Sequence, residues 1–205
     1  YAQLSRLFCA ELEHGKITAA NALVKLLRLQ QVTSGYAMSD EGIEEQVDQG
    51  KASTLADLLE DLPAEPIVVF ARFTHDLAAV RDATENLGRR YAELSGRRKD
   101  WLVWQRGQAD ILGVQIQSGG LGIDLSRARY AVYYSLGFSL GEYEQSLARL
   151  HRPGQTRSVT YFHLLARGTV DQHVYDVLAE RKEVVEGVLN IFRQETISVG
   201  PRRGP

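Results

Sequence analysis

The chain has 205 residues, 44% of them hydrophobic, which suits one domain with a buried core and a small appendage. Lys and Arg number 24 against 26 Asp and Glu, so the formal net charge of −2 excludes a uniformly basic nucleic-acid clamp, and any DNA contact has to come from a local patch. One cysteine, Cys9, excludes an internal disulfide and a Cys-rich metal site and fits a reducing intracellular compartment, while no long apolar run or signal-peptide pattern points to a membrane.

Residues 1–30 carry apolar positions at helical spacing, Leu4, Leu7, Phe8 and Leu12, then Leu23, Leu26 and Leu27, with a break near Gly15. That pattern predicts two helices. From Gly35 to Gly50 the sequence turns polar and acidic, with little apolar periodicity, and reads as a mobile surface linker. A helix using Leu55, Leu58 and Leu59 follows from near Ser53.

After Pro63 and Pro66 short apolar runs alternate with amphipathic helices, the mark of an α/β fold whose mostly parallel sheet is covered on both faces. Strands are expected at 67–70, 91–94, 111–116, 130–134 and 158–165. Helices are expected from Thr74 to Leu87, through Trp101 and Trp104, from Ser139 to His151 and from Thr169 to Leu189. Ser139 with Glu142 and Thr169 with Gln172 are capping boxes that set two of these helix starts. Trp101 and Trp104, at i and i+3, suit stacking on bases but read more readily as core. The tail, 198–205, is rich in Gly, Pro and Arg and reads as flexible, and a start at Tyr1 rather than Met reads as a fragment of a longer protein.

Two stretches carry chemistry. In QSLARLHRPGQ (145–155) helical geometry puts Gln145, Arg149 and Arg152 within about 60° of one another, opposite a stripe of Tyr143, Leu147 and Leu150. A guanidinium donates two parallel hydrogen bonds to a phosphate and keeps its charge near neutral pH, so two of them one turn apart suit a phosphoryl group in transfer. A solvated helix end, where Arg favours the dipole, accounts for the same residues. In QIQSGGLGIDL (115–125), glycines directly after a parallel strand bring backbone amides close to an anion, or simply permit a tight turn. The five histidines, His14, His75, His151, His163 and His173, are scattered without metal-ligand spacing, and no metal site is expected.

In order along the chain, IVVFARF (67–73), SGGLGIDL (118–125) and QSLARLHRPGQ (145–155) resemble motifs IV, V and VI of superfamily-two helicases, the last two in the form of the Swi/Snf branch. Lys51 with Leu55 and Leu58, YAELSG (91–96) and the helix from Thr169 extend the resemblance over most of 50–190. It implies a RecA-like three-layer sandwich at 51–197, preceded by N-terminal helices and the acidic linker at 1–50, forming the second lobe of an ATP-driven translocase of double-stranded DNA. It also implies that Arg149 and Arg152 reach the ATP γ-phosphate, Arg152 as arginine finger, with Gln145 helping to position them. Gly120, Gly122, Asp124 and Gln155 would face the nucleotide, Asp124 near the ribose. Phe70, Arg72, Thr74, Gln115, Ser118 and Gly119 would face DNA, with Arg97 and Lys99 from a basic cluster that includes Arg98 and Arg106.

Gln115 and Ile116 stand where the family often has a Ser-Thr pair, and Pro153 replaces a frequent isoleucine. The chain contains neither the G-x-x-x-x-G-K-[ST] phosphate loop nor an acidic box at the end of an apolar strand. ATP and Mg²⁺ are therefore expected to be held mainly by another RecA-like lobe, N-terminal to Tyr1, and the chain alone is expected not to hydrolyse ATP. A nucleic-acid or nucleotide-binding module without catalysis and an RNA helicase lobe are the alternatives; Gln155 and the glycine-rich loop favour the Swi/Snf branch. The resemblance places the parent protein in the cytoplasm of a bacterium or phage host, or in a eukaryotic nucleus.

Overall fold

Five short apolar segments pair side by side into one parallel sheet, and their composition explains why. In the computed structural model, which describes residues 1–13, 19–39, 42–117, 122–152, 157–180, 187–188, 190–192 and 194, the sheet consists of β3 (Ile67–Ala71), β4 (Tyr91–Leu94), β5 (Ile111–Gln115), β6 (Tyr130–Tyr133) and β7 (Thr160–His163). Their spatial order is β4-β5-β3-β6-β7, all parallel. Every residue of central β3 is buried. Val68 and Phe70 enter one core, with Leu112, Val114, Ala131 and Tyr133, while Ile67 and Val69 enter the other, with Ile111, Val132 and Tyr134. A strand that is apolar on both faces is stable only between two helical layers, at about 1.5–3 kcal/mol for each large side chain buried.

The helices supply those layers. Leu55 and Leu59 of α3 (Gly50–Asp61) and Val80 and Ala83 of α4 (Thr74–Asn86) cover one face. The other is covered by α2 (Ala19–Thr33), α5 (Trp101–Gln105), α6 (Leu140–Leu150) and α7 (Val170–Ala179), through residues such as Leu26, Trp104, Leu150 and Val174. Trp104 is fully buried, with its indole N–H donating to the Asp110 carbonyl at 3.3 Å. Ser139 caps α6 by accepting the Glu142 amide at 3.2 Å. At α7 the pattern slips by one residue: Thr169 Oγ1 accepts the Asp171 amide, and Gln172 Oε1 accepts the amide of Gly168. The result is the three-layer α/β sandwich of RecA-like domains.

The N-terminal helices are part of this body. Phe8 of α1 (Ala2–Glu13) and Ala22, Leu26 and Leu29 of α2 share the larger core, and Phe8 meets Phe192 edge-on at 5.2 Å. The Tyr1 hydroxyl accepts the amide of Val170 at 2.6 Å. The side chain of Cys9, His14 and the tail at 198–205 lie outside the described residues.

The acidic stretch after α2, expected as a surface linker, contains instead an antiparallel pair, β1 (Tyr36–Met38) and β2 (Glu44–Gln46). Gly35 starts it at φ 101°, and its carbonyl accepts the amides of Val47 and Asp48. A Cβ at that position would stand 2.4 Å from the Asp48 carbonyl oxygen. Tyr36 anchors the pair, buried against the Phe73 and His75 rings at 5.8 and 4.6 Å. Glycine is needed again at Gly113, mid-strand in β5, because the Tyr91 ring crosses over it and the phenol oxygen would lie 2.3 Å from a Cβ there.

Candidate functional site

Parallel strands gather the loops that follow them at one edge of the sheet, where open α/β sheets bind ligands. The chain leaves β3 toward β4 and leaves β6 toward β7, so the two connections diverge between β3 and β6. Arg72 sits in that crevice. Its amide donates to Ser135 Oγ at 2.7 Å and its guanidinium lies 4.4 Å over the Phe138 ring. Burial lowers its pKa, against the opposing charges of Glu142 and Asp76. Ser135 also donates to Asp76 Oδ2, which accepts the Phe73 amide at 3.1 Å.

Gln115, at the end of β5, bridges its neighbours: its Nε2 donates to the Arg72 carbonyl at 3.4 Å and its Oε1 accepts the Gly96 amide at 3.3 Å. Arg72, Thr74 and Gln115 line one shallow cavity with Gln117, and Thr74 lines the adjacent one with Arg81, Arg97 and Arg98. The turn after β4 is built by Ser95 Oγ, which accepts the amides of Arg97 and Arg98 at 3.1 Å each. Arg98 pairs with Asp100, while Arg97 and Lys99 are exposed. Of the residues expected to face DNA, Arg72, Thr74, Gln115 and Arg97 line these two adjoining cavities, and one is corrected. Phe70 is fully buried and stacked 4.9 Å from Tyr133, because alternation along β3 turns its side chain into the core rather than toward solvent. Ser118 and Gly119 lie outside the described residues.

Of the residues expected at the nucleotide, Arg149 and Arg152 meet the segment after β5 that carries Gly122 and Asp124. The Leu125 amide donates to the Arg149 carbonyl at 3.1 Å, and Arg152 Nη2 donates to the carbonyls of Gly122 and Ile123 at 3.2 and 3.1 Å. Asp124 Oδ1 accepts the Ser126 amide at 2.8 Å, and the bonds from Ser126 hold its carboxyl below the usual range, with the Arg152 charge adding to them. Burial lowers the Arg149 pKa and the neighbouring Arg152 charge lowers it further. The two like charges repel, so each makes the other costlier to keep charged. On α6 the buried stripe is Ser146 and Leu150, with Tyr143 and Leu147 packed beside them, and Gln145 is exposed one turn before Arg149. Gly120 and Gln155 lie outside the described residues.

Sequence reasoning missed Asp76 and Ser135, which fix the Arg72 loop. Their signals were a carboxylate three residues past the Phe73 N-cap and a serine closing the apolar run 130–134. Burial raises the Asp76 pKa to about 6, against hydrogen bonds from Ser135 and Phe73. Burial lowers that of His163, stacked on Tyr133, to about 4. Between about pH 4 and 6 the folded chain therefore holds a proton on Asp76 that the unfolded chain has released, so this group's contribution falls as pH rises, by about 3 kcal/mol at most. His163 has the opposite sign: the unfolded chain holds the proton, and stability rises with pH. Asp76→Asn should therefore gain stability relative to the unsubstituted chain as pH rises from about 4 to 6, and His163→Phe should lose it. Melting temperatures across that range check this, and equal slopes for all three proteins would contradict it.

Among the described residues no helix is long and apolar enough to cross a membrane. Residues 50–154 match the family described as the helicase conserved C-terminal domain. The chain is 27% identical over 161 residues to the chromatin-remodeling ATPase INO80 of Drosophila melanogaster, covering 73% of the chain and 10% of the relative. It is 29% identical over 153 residues to INO80 of Debaryomyces hansenii, covering 69% and 11%. The chain spans about a tenth of the length of these curated relatives. In fold it is similar to the Sulfolobus solfataricus SWI2/SNF2 ATPase core solved in complex with dsDNA, with a TM-score of 0.65 at 20% identity over 96% of this chain and 46% of that one. It is also similar to the C-terminal part of the Fun30 ATPase domain, with a TM-score of 0.58 at 20% identity over 71% and 54%.

Proposed function

The chain belongs to the helicase conserved C-terminal domain family, and on that footing we propose that it is the second motor lobe of a Swi/Snf-type, ATP-dependent translocase of double-stranded DNA. The observation that carries this reading is that Arg149 and Arg152 meet the Asp124 segment after β5, while Arg72, Thr74, Arg97 and Arg98 line adjoining cavities beside the ends of β3 and β4. Paired guanidiniums beside a loop suit the phosphates of a nucleotide, and the donor set fits that part of ATP. ATP supplies the phosphoryl group. Arg152 and Arg149 neutralise charge on it, Gln145 helps to place them, and a partner RecA-like lobe of the parent protein holds most of the nucleotide and Mg²⁺. Gly120, Gly122 and Gln155 complete the nucleotide side of this lobe.

Beside those strand ends, Thr74, Arg97 and Lys99 meet backbone phosphates, joined by Ser118 and Gly119, while Arg72 and Gln115 fix the shape of the surface. In a eukaryotic host this work belongs in the nucleus, and in a bacterial or phage setting in the cytoplasm.

With few basic groups on a chain of net charge −2, the isolated lobe should bind duplex DNA weakly and without sequence preference. Each phosphate contact contributes about −0.9 to the slope of log affinity against log salt, so a few contacts give a shallow slope. Lys99→Ala should weaken all duplexes about equally. Titrating two unrelated labelled duplexes at several salt concentrations tests this. Salt-independent or strongly sequence-selective binding would point to base readout and away from a translocase lobe.

A further inference from the structure

The buried face of α6 rests on a row of rings. Phe70, Tyr133 and His163 occupy paired positions on β3, β6 and β7. They stack in turn, Phe70 on Tyr133 at 4.9 Å and Tyr133 on His163 at 4.7 Å with an interplanar angle of 4°. Tyr175 of α7 packs on the imidazole as well, at 4.7 Å. Hydrogen bonds rise from this row to α6: the Tyr133 hydroxyl lies 2.6 Å from Ser146 Oγ, and the Tyr143 hydroxyl 3.1 Å from His163 Nε2. Tyr143 and Ser146 are one helical turn apart, and Arg149 stands in the last turn of the same helix.

Apolar packing alone leaves a helix some freedom to roll. A roll of about 10° moves atoms about 5–6 Å from the axis by about 1 Å, and misplacement on that scale can slow a reaction by about 10²-fold. A directional bond to a residue fixed within the sheet removes that freedom.

We infer that His163 is a positioning residue, which through its hydrogen bond to Tyr143 sets the rotation of α6 and so the aim of Arg149 in its last turn and the point from which the chain leads to Arg152, beyond the extended His151. The inference rests on the role of those arginines proposed above. The imidazole is well suited to the task. Its flat ring continues the Phe70–Tyr133 stack, and burial keeps it neutral near pH 7, so one ring nitrogen can meet the phenol without bringing a buried charge.

The test uses the full-length parent protein. His163→Phe keeps the stack and removes the nitrogen, Tyr143→Phe removes only the hydroxyl, and His163→Gln returns a side-chain nitrogen. Each single Phe variant should lower kcat for ATP by about 10- to 100-fold with KM little changed. The double variant should be no slower than either single one, since both remove the same bond, and His163→Gln should recover part of the rate. If His163→Phe unfolds, Tyr143→Phe decides, because it leaves the stacked row untouched. Parental kcat in Tyr143→Phe, or additive losses in the double variant, overturns the inference. Arg152→Ala in the same assay separates the two claims: if it is inactive while Tyr143→Phe is unimpaired, the arginine reading stands and the positioning role falls, and if it is fully active, the arginine reading falls.

Discussion

Arg152→Ala in the full-length parent protein is expected to leave ATP binding largely intact and to lower turnover on the order of 10³-fold or more, the scale of an arginine finger. Arg152 follows the end of α6, and its Nη2 donates to the carbonyls of Gly122 and Ile123, which brings its charge beside Asp124 and the segment after β5. A group used mainly when phosphoryl charge develops affects kcat far more than affinity. Arg152→Lys should recover little, since an ammonium keeps the charge but not the planar fork. Arg149→Ala should also be severe. Steady-state phosphate release together with ATP affinity checks this, and parental turnover in Arg152→Ala would remove the residue from the mechanism.

The largest effect on stability should come from Lys51→Met. Lys51 of α3 and Asp171 of α7 form a salt bridge with both side chains 5% exposed. Thr33 of α2 donates to the other carboxylate oxygen at 2.8 Å, and the Ala166 amide adds a bond at 3.3 Å. Removing the lysine leaves a buried carboxylate without its counter-charge, which costs about 3–5 kcal/mol. For a chain of this length that lowers the melting temperature by on the order of 10 °C. Lys51→Met combined with Asp171→Leu should recover most of the loss, because it is the unpaired charge that is expensive. Urea unfolding of the single and double variants checks this, and a loss below about 1 kcal/mol in Lys51→Met would mean that the pair is solvated.

Central β3 was legible in the sequence because a strand buried on both faces must be apolar at every position, as 67–71 is. Helix starts were legible where Ser139 and Thr169 supply side-chain caps. The β1–β2 pair was not, since Glu44, Glu45 and Gln46 are exposed and carry no apolar alternation; buried Tyr36 and the Glu44–His75 contact tie it to the body. Phe70 was misassigned because a motif marks a segment, whereas the facing of each side chain follows the two-residue period of the strand. The meeting of Arg149 and Arg152 with the segment after β5 could be anticipated only through resemblance, because the partners lie far apart in the chain, Arg152 and Gly122 by 30 residues, and no local pattern links them. Asp76 left a local signal, three residues past Phe73 whose amide it accepts, but the contacts of Ser135 with Arg72 and Asp76 and of His163 with Tyr143 join residues brought close by the fold.

The central claim is that this lobe completes an ATP site formed largely by another lobe. The most direct measurement is phosphate release by purified 1–205, with and without duplex DNA, beside the full-length parent protein. Negligible release by the lobe at every DNA concentration, with DNA-stimulated turnover by the parent, is the expected result; robust, DNA-stimulated turnover by the lobe alone would contradict it.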